Sequence, residues 1–234
     1  MKRPSKSSGP TPGVIERIAL VGNPNVGKSV VFGWLTGQYV TVSNYPGTTV
    51  EIAQGNCKIG GRRRVVVDTP GINNLIPMSE DERVTRDILL ADGDIKVIQV
   101  CDAKNLRRGL TITLQLAEME KSVVLVLNMA DEAQQRGISI DHQRLSGVLG
   151  IPVLSTVATQ RKGLDDLVKS VEVDGLPKVR ALYAPEFEEA IGQIEKLLPE
   201  KEKGKRALAL MLLAGDESLR EWLHAHLSEQ VVQK

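Results

Sequence analysis

The sequence predicts an α/β fold, a mostly parallel sheet of six to seven strands with helices on both faces, followed by a small all-α domain. Three observations carry this reading. Strand-like and helix-like segments alternate from about residue 17 to about residue 173, the order that strand, crossover helix and parallel strand require. Val65-Val66-Val67 and Val123-Val124-Leu125-Val126-Leu127 are unbroken apolar runs, the pattern of strands covered on both faces. Beyond Gly175-Leu176-Pro177 only helical patterns remain.

The elements follow in order. Residues 1–15 hold Pro, Ser, Gly and Lys without the apolar stretch of a signal peptide, and read as a flexible tail. Arg17-Ile18-Ala19-Leu20-Val21 is a short buried strand, and Ser29-Val30-Val31-Phe32 opens a helix. Strands at 51–59 and 63–67 flank Gly60-Gly61, a two-residue hairpin turn, so that pair is expected to be antiparallel. Ser79-Glu80-Asp81-Glu82 offers a capping box, Ser79 as N-cap and Glu82 reaching back, before Val84, Ile88 and Leu89. A strand at 95–101 leads to a helix lined by Leu106, Leu110, Leu114 and Met119, with Gly109 as an internal weak point. A strand at 123–127, a helix at 141–149 closed by Gly150, a strand at 153–155 and a helix from Leu164 complete the unit.

Three helices are expected at 185–198, 205–213 and 217–227, the first with Phe187, Ile191, Ile194 and Leu198 as its apolar stripe. About 50 residues in three helices make a small core, marginal alone, so they should pack on the α/β unit. The domains are therefore a tail at 1–15, an α/β domain at 16–175 and a helical domain at 176–234.

Composition excludes several roles. A net charge of +1, from 30 basic and 29 acidic residues, gives no broad footprint for nucleic acid, and 3% aromatic content offers no base-stacking surface. There is no apolar run of the ~18 residues that a membrane span needs. Cys57 and Cys101 lie apart in strand-like runs without metal-ligand spacing, and suit a reducing compartment. His142, His224 and His226 form no ligand constellation and read as surface helix positions.

Chemistry concentrates in five places. Gly22-Asn23-Pro24-Asn25-Val26-Gly27-Lys28-Ser29 fills G-x-x-x-x-G-K-S between a strand and the helix that Val30 continues. Such a loop aims backbone N–H groups and a helix dipole at one point, Lys28 supplies charge for the outer phosphates, and the Ser29 hydroxyl is placed for Mg²⁺. Asp68-Thr69-Pro70-Gly71 follows a strand end, where Asp68 can hold a Mg²⁺-bound water and the Gly71 N–H a γ-phosphate oxygen. Between them, in the polar stretch through Gly47, Thr48 or Thr49 should ligate Mg²⁺ when GTP is bound. Asn128-Met129-Ala130-Asp131 ends a strand, where a carboxylate accepts guanine N1–H and N2–H, a pairing adenine lacks. Val157-Ala158-Thr159 follows the last strand, where the Ala158 N–H suits guanine O6.

Gly22–Ser29, Asp68–Gly71 and Asn128–Asp131, together with Asn44-Tyr45-Pro46-Gly47-Thr48-Thr49-Val50-Glu51 and Asp102-Ala103-Lys104-Asn105-Leu106 followed by Leu110–Leu116, resemble the cytoplasmic GTPase domain of FeoB, the bacterial ferrous-iron transporter. The resemblance covers most of the chain after the first fifteen residues. It implies a Ras-like P-loop GTPase domain that binds GTP and GDP with Mg²⁺, and a helical domain that modulates GDP release. It also implies a place on the cytoplasmic face of the bacterial inner membrane, with the transmembrane pore domain of the same protein as partner; a homo-oligomer is compatible with it. Thr49 rather than Thr48 aligns with the family's Mg²⁺-binding threonine. Asn25 aligns with the asparagine that helps hold K⁺, making Asn25, Lys28, Thr49 and Gly71 the implied catalytic group. Ile72 stands where Ras-like enzymes carry glutamine, which implies slow hydrolysis, and Thr69 stands where the family commonly has Leu.

Two rivals share parts of this pattern. An Era-type, ribosome-associated GTPase has the same phosphate loop but carries Lys where Met129 stands, and adds an RNA-binding module. The other is a nucleotide-binding switch without significant catalysis.

Overall fold

Seven strands form one sheet: β1 (Glu16–Gly22), β2 (Val40–Asn44), β3 (Glu51–Ile59), β4 (Arg62–Asp68), β5 (Lys96–Asp102), β6 (Val123–Asn128) and β7 (Val153–Ser155). The computed structural model describes residues 16–37, 40–91, 94–226 and 229. The expected tail at 1–15 and Leu227 lie outside these residues. The sheet order is β2-β3-β4-β1-β5-β6-β7. β1 pairs in parallel with β4 and β5, and only β3 runs antiparallel to its neighbours β2 and β4. The Gly60-Gly61 turn joins β3 to β4 as the sequence predicts, both glycines having positive φ.

Nine helices accompany the sheet among the described residues. Six belong to the α/β unit: α1 (Lys28–Thr36), α2 (Glu80–Ala91), α3 (Leu106–Glu118), α4 (Ala130–Gln135), α5 (His142–Leu149) and α6 (Leu164–Val171). The last three are α7 (Pro185–Leu197), α8 (Lys205–Leu213) and α9 (Arg220–His226). Two apolar layers, one on each face of the sheet, are fed alternately by the same strands. Ile18 and Leu20 of β1 point into one and Ala19 and Val21 into the other.

Several expectations need correction. β2 was not legible, because all five of its residues are exposed and its alternation, Val40-Thr41-Val42-Ser43, is too brief to mark it; its backbone pairing with β3 makes it a strand. α4 (A-D-E-A-Q-Q) is too short and polar to show a period. In α3 the innermost residues are Ile112 and Leu116, while Leu106 and Leu110 are half-buried. Gly109 is a contact rather than a weak point, since a Cβ there would lie 2.0 Å from Cys101 Sγ; the bare backbone is what lets α3 lie on β5. Cys101 itself is a core thiol, pushed up to about 11 by burial. Phe187 is 59% exposed, so the stripe of α7 narrows to Ile191 and Ile194, with Leu198 at the helix C-cap. His142 is half-buried, with Nε2 2.5 Å from Ser155 Oγ.

The C-terminal helices share a core with the α/β unit, as their size requires. Leu198, Leu208, Met211, Leu219 and Leu223 join the layer that holds Leu75, Leu116 and Met119. Ionic ties reinforce the seam. Arg206 reaches Glu118 (2.7 Å) on α3 and Glu188 (2.7 Å) on α7, and its guanidinium draws the Glu188 carboxyl down to about 2. Arg86 of α2 is 1% exposed and pairs with Asp216, 3% exposed, while its Nη1 donates to Ser218 Oγ (3.0 Å).

Candidate functional site

One cavity of about 640 Å³ opens where the carboxyl ends of β1 and β6 meet the start of α1, the end of a parallel sheet where ligands bind. Asn23, Pro24, Asn25, Gly27, Lys28, Ser29 and Val30 line it from the first loop, and Gly71 from the loop after β4. Asn128, Met129 and Asp131 line its far end, with Val157, Ala158 and Thr159. Gly22 and Val26 lie behind this wall. The sequence reading missed Asp81 and Glu132, which also face the cavity. A charge beside a motif carries no periodic signal of its own.

The phosphate end follows from the local chain. Gly27 occupies the N-cap of α1 at φ +84, so no side chain caps that helix and its first N–H groups face the cavity. Lys28 is ion-paired with Asp68, and Ser29 Oγ donates to the other Asp68 oxygen (2.8 Å). A hydroxyl beside a carboxylate is the hard-oxygen donor set that Mg²⁺ takes. Thr69 is buried and its Oγ1 donates to Leu20 O (2.7 Å), tying β4 to β1. Asn23 Nδ2 spans to Ile72 O (3.0 Å) and Asn73 Oδ1 (3.3 Å). Ile72 is fully buried, so its side chain cannot orient water.

The capping box is half realised. Ser79 Oγ accepts the Glu82 N–H (3.3 Å), but the Glu82 carboxylate turns to the N–H groups of Asn73 (3.1 Å), Asn74 (3.1 Å) and Met78 (2.9 Å). A buried carboxylate finds three donors there. Thr48 and Thr49 do not line the cavity. Thr48 Oγ1 donates to Tyr45 O (2.9 Å) within the Gly47 turn, and Thr49 Oγ1 donates to Glu80 Oε2 (3.4 Å).

At the base end, Asn128 Nδ2 donates to Val26 O (2.8 Å), while its Oδ1 accepts Thr156 Oγ1 (3.0 Å) and the Ala158 N–H (2.9 Å). One side chain therefore ties the loop after β6 and the loop after β7 to the loop before α1. The Ala158 N–H, expected to serve guanine O6, is here given to Asn128. Asp131 faces the cavity from the first turn of α4, with Gln160 Nε2 3.5 Å away. Four described residues other than glycine have positive φ, and two of them, Asn25 (+63°) and Met129 (+59°), line this cavity. Such concentration of backbone strain marks a ligand site. A Cβ on Gly27 would lie 2.3 Å from Asn128 Nδ2. Gly27→Ala is accordingly expected to lower stability by ~1–3 kcal/mol and to displace Asn128, measured by thermal unfolding with and without GDP; an unchanged melting curve would exclude the clash.

Residues 16–171 match the family described as Ferrous iron transport protein B, and residues 183–234 match the FeoB cytosolic helical domain. The chain belongs to the FeoB family. FeoB transporters similar to it include that of Methanocaldococcus jannaschii, 39% identical over 87% of this chain and 31% of the relative. Those of Staphylococcus aureus strain MSSA476 (37% over 76% of this chain) and Escherichia coli K12 (35% over 85%) each match over 27% of their own length. The chain thus spans about a quarter of the curated FeoB relatives it matches. Among solved structures, the cytosolic domain of T. maritima FeoB in apo form aligns with TM-score 0.79 at 34% identity, covering 93% of this chain and 90% of that one. A GDP-bound S. thermophilus NFeoB variant aligns with TM-score 0.80 at 34% identity, covering 93% and 85%. The T. maritima domain in its GMPPNP form gives 0.78 at 35% identity, covering 92% and 89%. The fold is therefore the Ras-like GTPase fold of FeoB cytosolic domains, with its C-terminal helical domain. Among the described residues no helix is long and apolar enough to cross a membrane.

Proposed function

We propose that this chain is a GTP-binding, slowly GTP-hydrolysing regulatory unit of a ferrous-iron membrane transporter, stimulated by K⁺. It would act at the cytoplasmic face of the bacterial inner membrane on a pore domain of the same protein. The observation that supports this best is the single cavity that brings Lys28, Ser29 and Gly71 together with Asn128 and Asp131. That spacing suits one guanine nucleotide, phosphates at α1 and base at α4.

The roles follow from the residues. N–H groups at the start of α1 and the Lys28 ammonium bind the phosphates, and the Gly71 N–H reaches the γ-phosphate. To meet a phosphate, Lys28 exchanges Asp68 for it. Ser29 and Asp68 would hold Mg²⁺, which when bound neutralises charge on the β- and γ-phosphates. Thr49 would complete that set, and its hydroxyl has to leave Glu80 to do so. Asn25, which lines the cavity in the same loop as Lys28, would hold K⁺ with its amide oxygen. Buried Ile72 leaves the attacking water without a side-chain partner at that position, which accounts for slow turnover.

The test is single-turnover hydrolysis of GTP by the purified chain in KCl and in NaCl. Slow hydrolysis, faster in KCl, is expected; bound GTP that stays intact in both salts makes the chain a switch without catalysis. Tight, salt-dependent RNA binding would favour the Era-type reading instead.

The helical domain is proposed to slow GDP release, and Asp216 is the place to probe it. Removing the whole domain strips the shared core, whereas Asp216→Asn weakens one tie to α2. Arg86 keeps its ion pair with Asp87 (2.6 Å), so neutralising Asp216 should cost only ~1–2 kcal/mol of stability. GDP release, followed with a fluorescent GDP analogue, should quicken several-fold; an unaltered release rate with lowered stability makes the tie purely structural.

A further inference from the structure

The base end of the cavity carries two consecutive carboxylates, Asp131 and Glu132, both in the first turn of α4 and both lining the cavity. Only one is needed to accept two N–H groups from a base. A second carboxylate beside the first would repel the same electron-rich groups of a ligand and compete for its N–H groups. An ammonium from a different element meets this pair. Lys104, in the turn after β5, places Nζ 2.6 Å from Glu132 Oε2 and 3.3 Å from Met129 Sδ. Its side chain is 9% exposed, against 48% for Glu132. The turn that delivers it is fixed: Asp102 Oδ1 accepts the Lys104 N–H (2.9 Å) and Asp102 Oδ2 accepts from Asn105 Nδ2 (2.8 Å). Asp102 pairs in register with Asn128 across β5 and β6, so the lysine stands level with the base loop. Lys104 Nζ also lies 3.4 Å from Asp102 Oδ1.

We propose that Lys104 is a positioning residue of the base site: its ammonium holds the Glu132 carboxylate aside and neutralises it, leaving Asp131 as the carboxylate that reads the base. The inference rests on the guanine reading of Asp131. Met129 supplies no charge at its place in the N-x-x-D segment, and the cation beside it comes instead from the turn after β5. The hydrogen bond to Glu132 and the nearby Asp102 also keep the ammonium firmly protonated. Contact with a nucleotide is not required of Lys104; it acts through Glu132.

The test measures affinity for GDP and for ADP in the full chain and three variants. The wild-type chain should prefer GDP strongly. Lys104→Met should weaken GDP about tenfold, since an unmasked second carboxylate then stands at the base edge. Lys104→Arg should stay near wild type. The double variant Lys104→Met with Glu132→Gln should recover GDP affinity to within about twofold, because the charge that needed masking is gone. A Lys104→Met chain with unchanged GDP affinity overturns the proposal. So does a loss that Glu132→Gln does not rescue, which is what a merely structural lysine would give. A wild-type chain that binds ADP as well as GDP would instead sink the guanine reading itself, whatever the variants do.

Discussion

Asp131→Asn is expected to weaken GDP binding at least ~100-fold and to shift preference toward xanthine nucleotides. Of two hydrogen bonds to a charged acceptor, each worth ~1.5–3 kcal/mol, one is lost and the other is weakened to a neutral one. An amide offers one acceptor and one donor where guanine presents two donors, so one contact becomes a clash of N–H groups. Xanthine carries an oxygen at that edge and restores the match. The position favours a large effect, since Asp131 faces the cavity from a turn anchored at Met129, whose backbone is already held at φ +59. Titrating GDP and XDP into wild-type and variant chains decides it. Unchanged selectivity would remove Asp131 from the base site.

Asn25→Ala should abolish K⁺ stimulation, a loss of ~100-fold or more in the KCl rate, because an ion contact in a dry site is worth ~3 kcal/mol. GDP affinity should change far less. The backbone adds a control that the sequence did not suggest. Asn25 sits at φ +63, a conformation Asn tolerates and Ala does not, so Ala adds strain of ~1–2 kcal/mol. Asn25→Gly removes the amide without that strain. If both variants lose the response to K⁺ while Asn25→Gly keeps GDP affinity, the amide is the ligand. Stimulation that survives in Asn25→Gly assigns the ion elsewhere.

The phosphate loop, Asp68 and Asn128 were legible because each sits at a strand end, where a motif and an apolar run mark the same place. Parallel strands buried on both faces announce themselves; β2, exposed throughout and paired by backbone alone, does not. The C-terminal helices were readable from their stops, Pro199 and Gly215-Asp216, but the depth of α7 was not, because an exposed Phe187 fits the same period as buried Ile191. Partnerships across the chain were hidden. Glu82 fits a capping box in sequence, yet three N–H groups of the preceding loop outbid the one at Ser79. Thr49 on Glu80 and Lys104 on Glu132 are likewise facts of tertiary placement, 31 and 28 positions apart.

Asn128 has a consequence for how a ligand is held. Its one side chain fastens Val26 in the phosphate loop to Thr156 and Ala158 in the base loop. The two halves of the cavity therefore cannot loosen independently, and whichever half of a nucleotide arrives first stiffens the bed for the other. A nucleoside and a pyrophosphate offered as separate molecules each meet the entropy of ordering both loops, while the joined nucleotide meets it once. The protein is built to prize the covalent link between base and phosphate, and fragments of its ligand should be poor competitors for the whole.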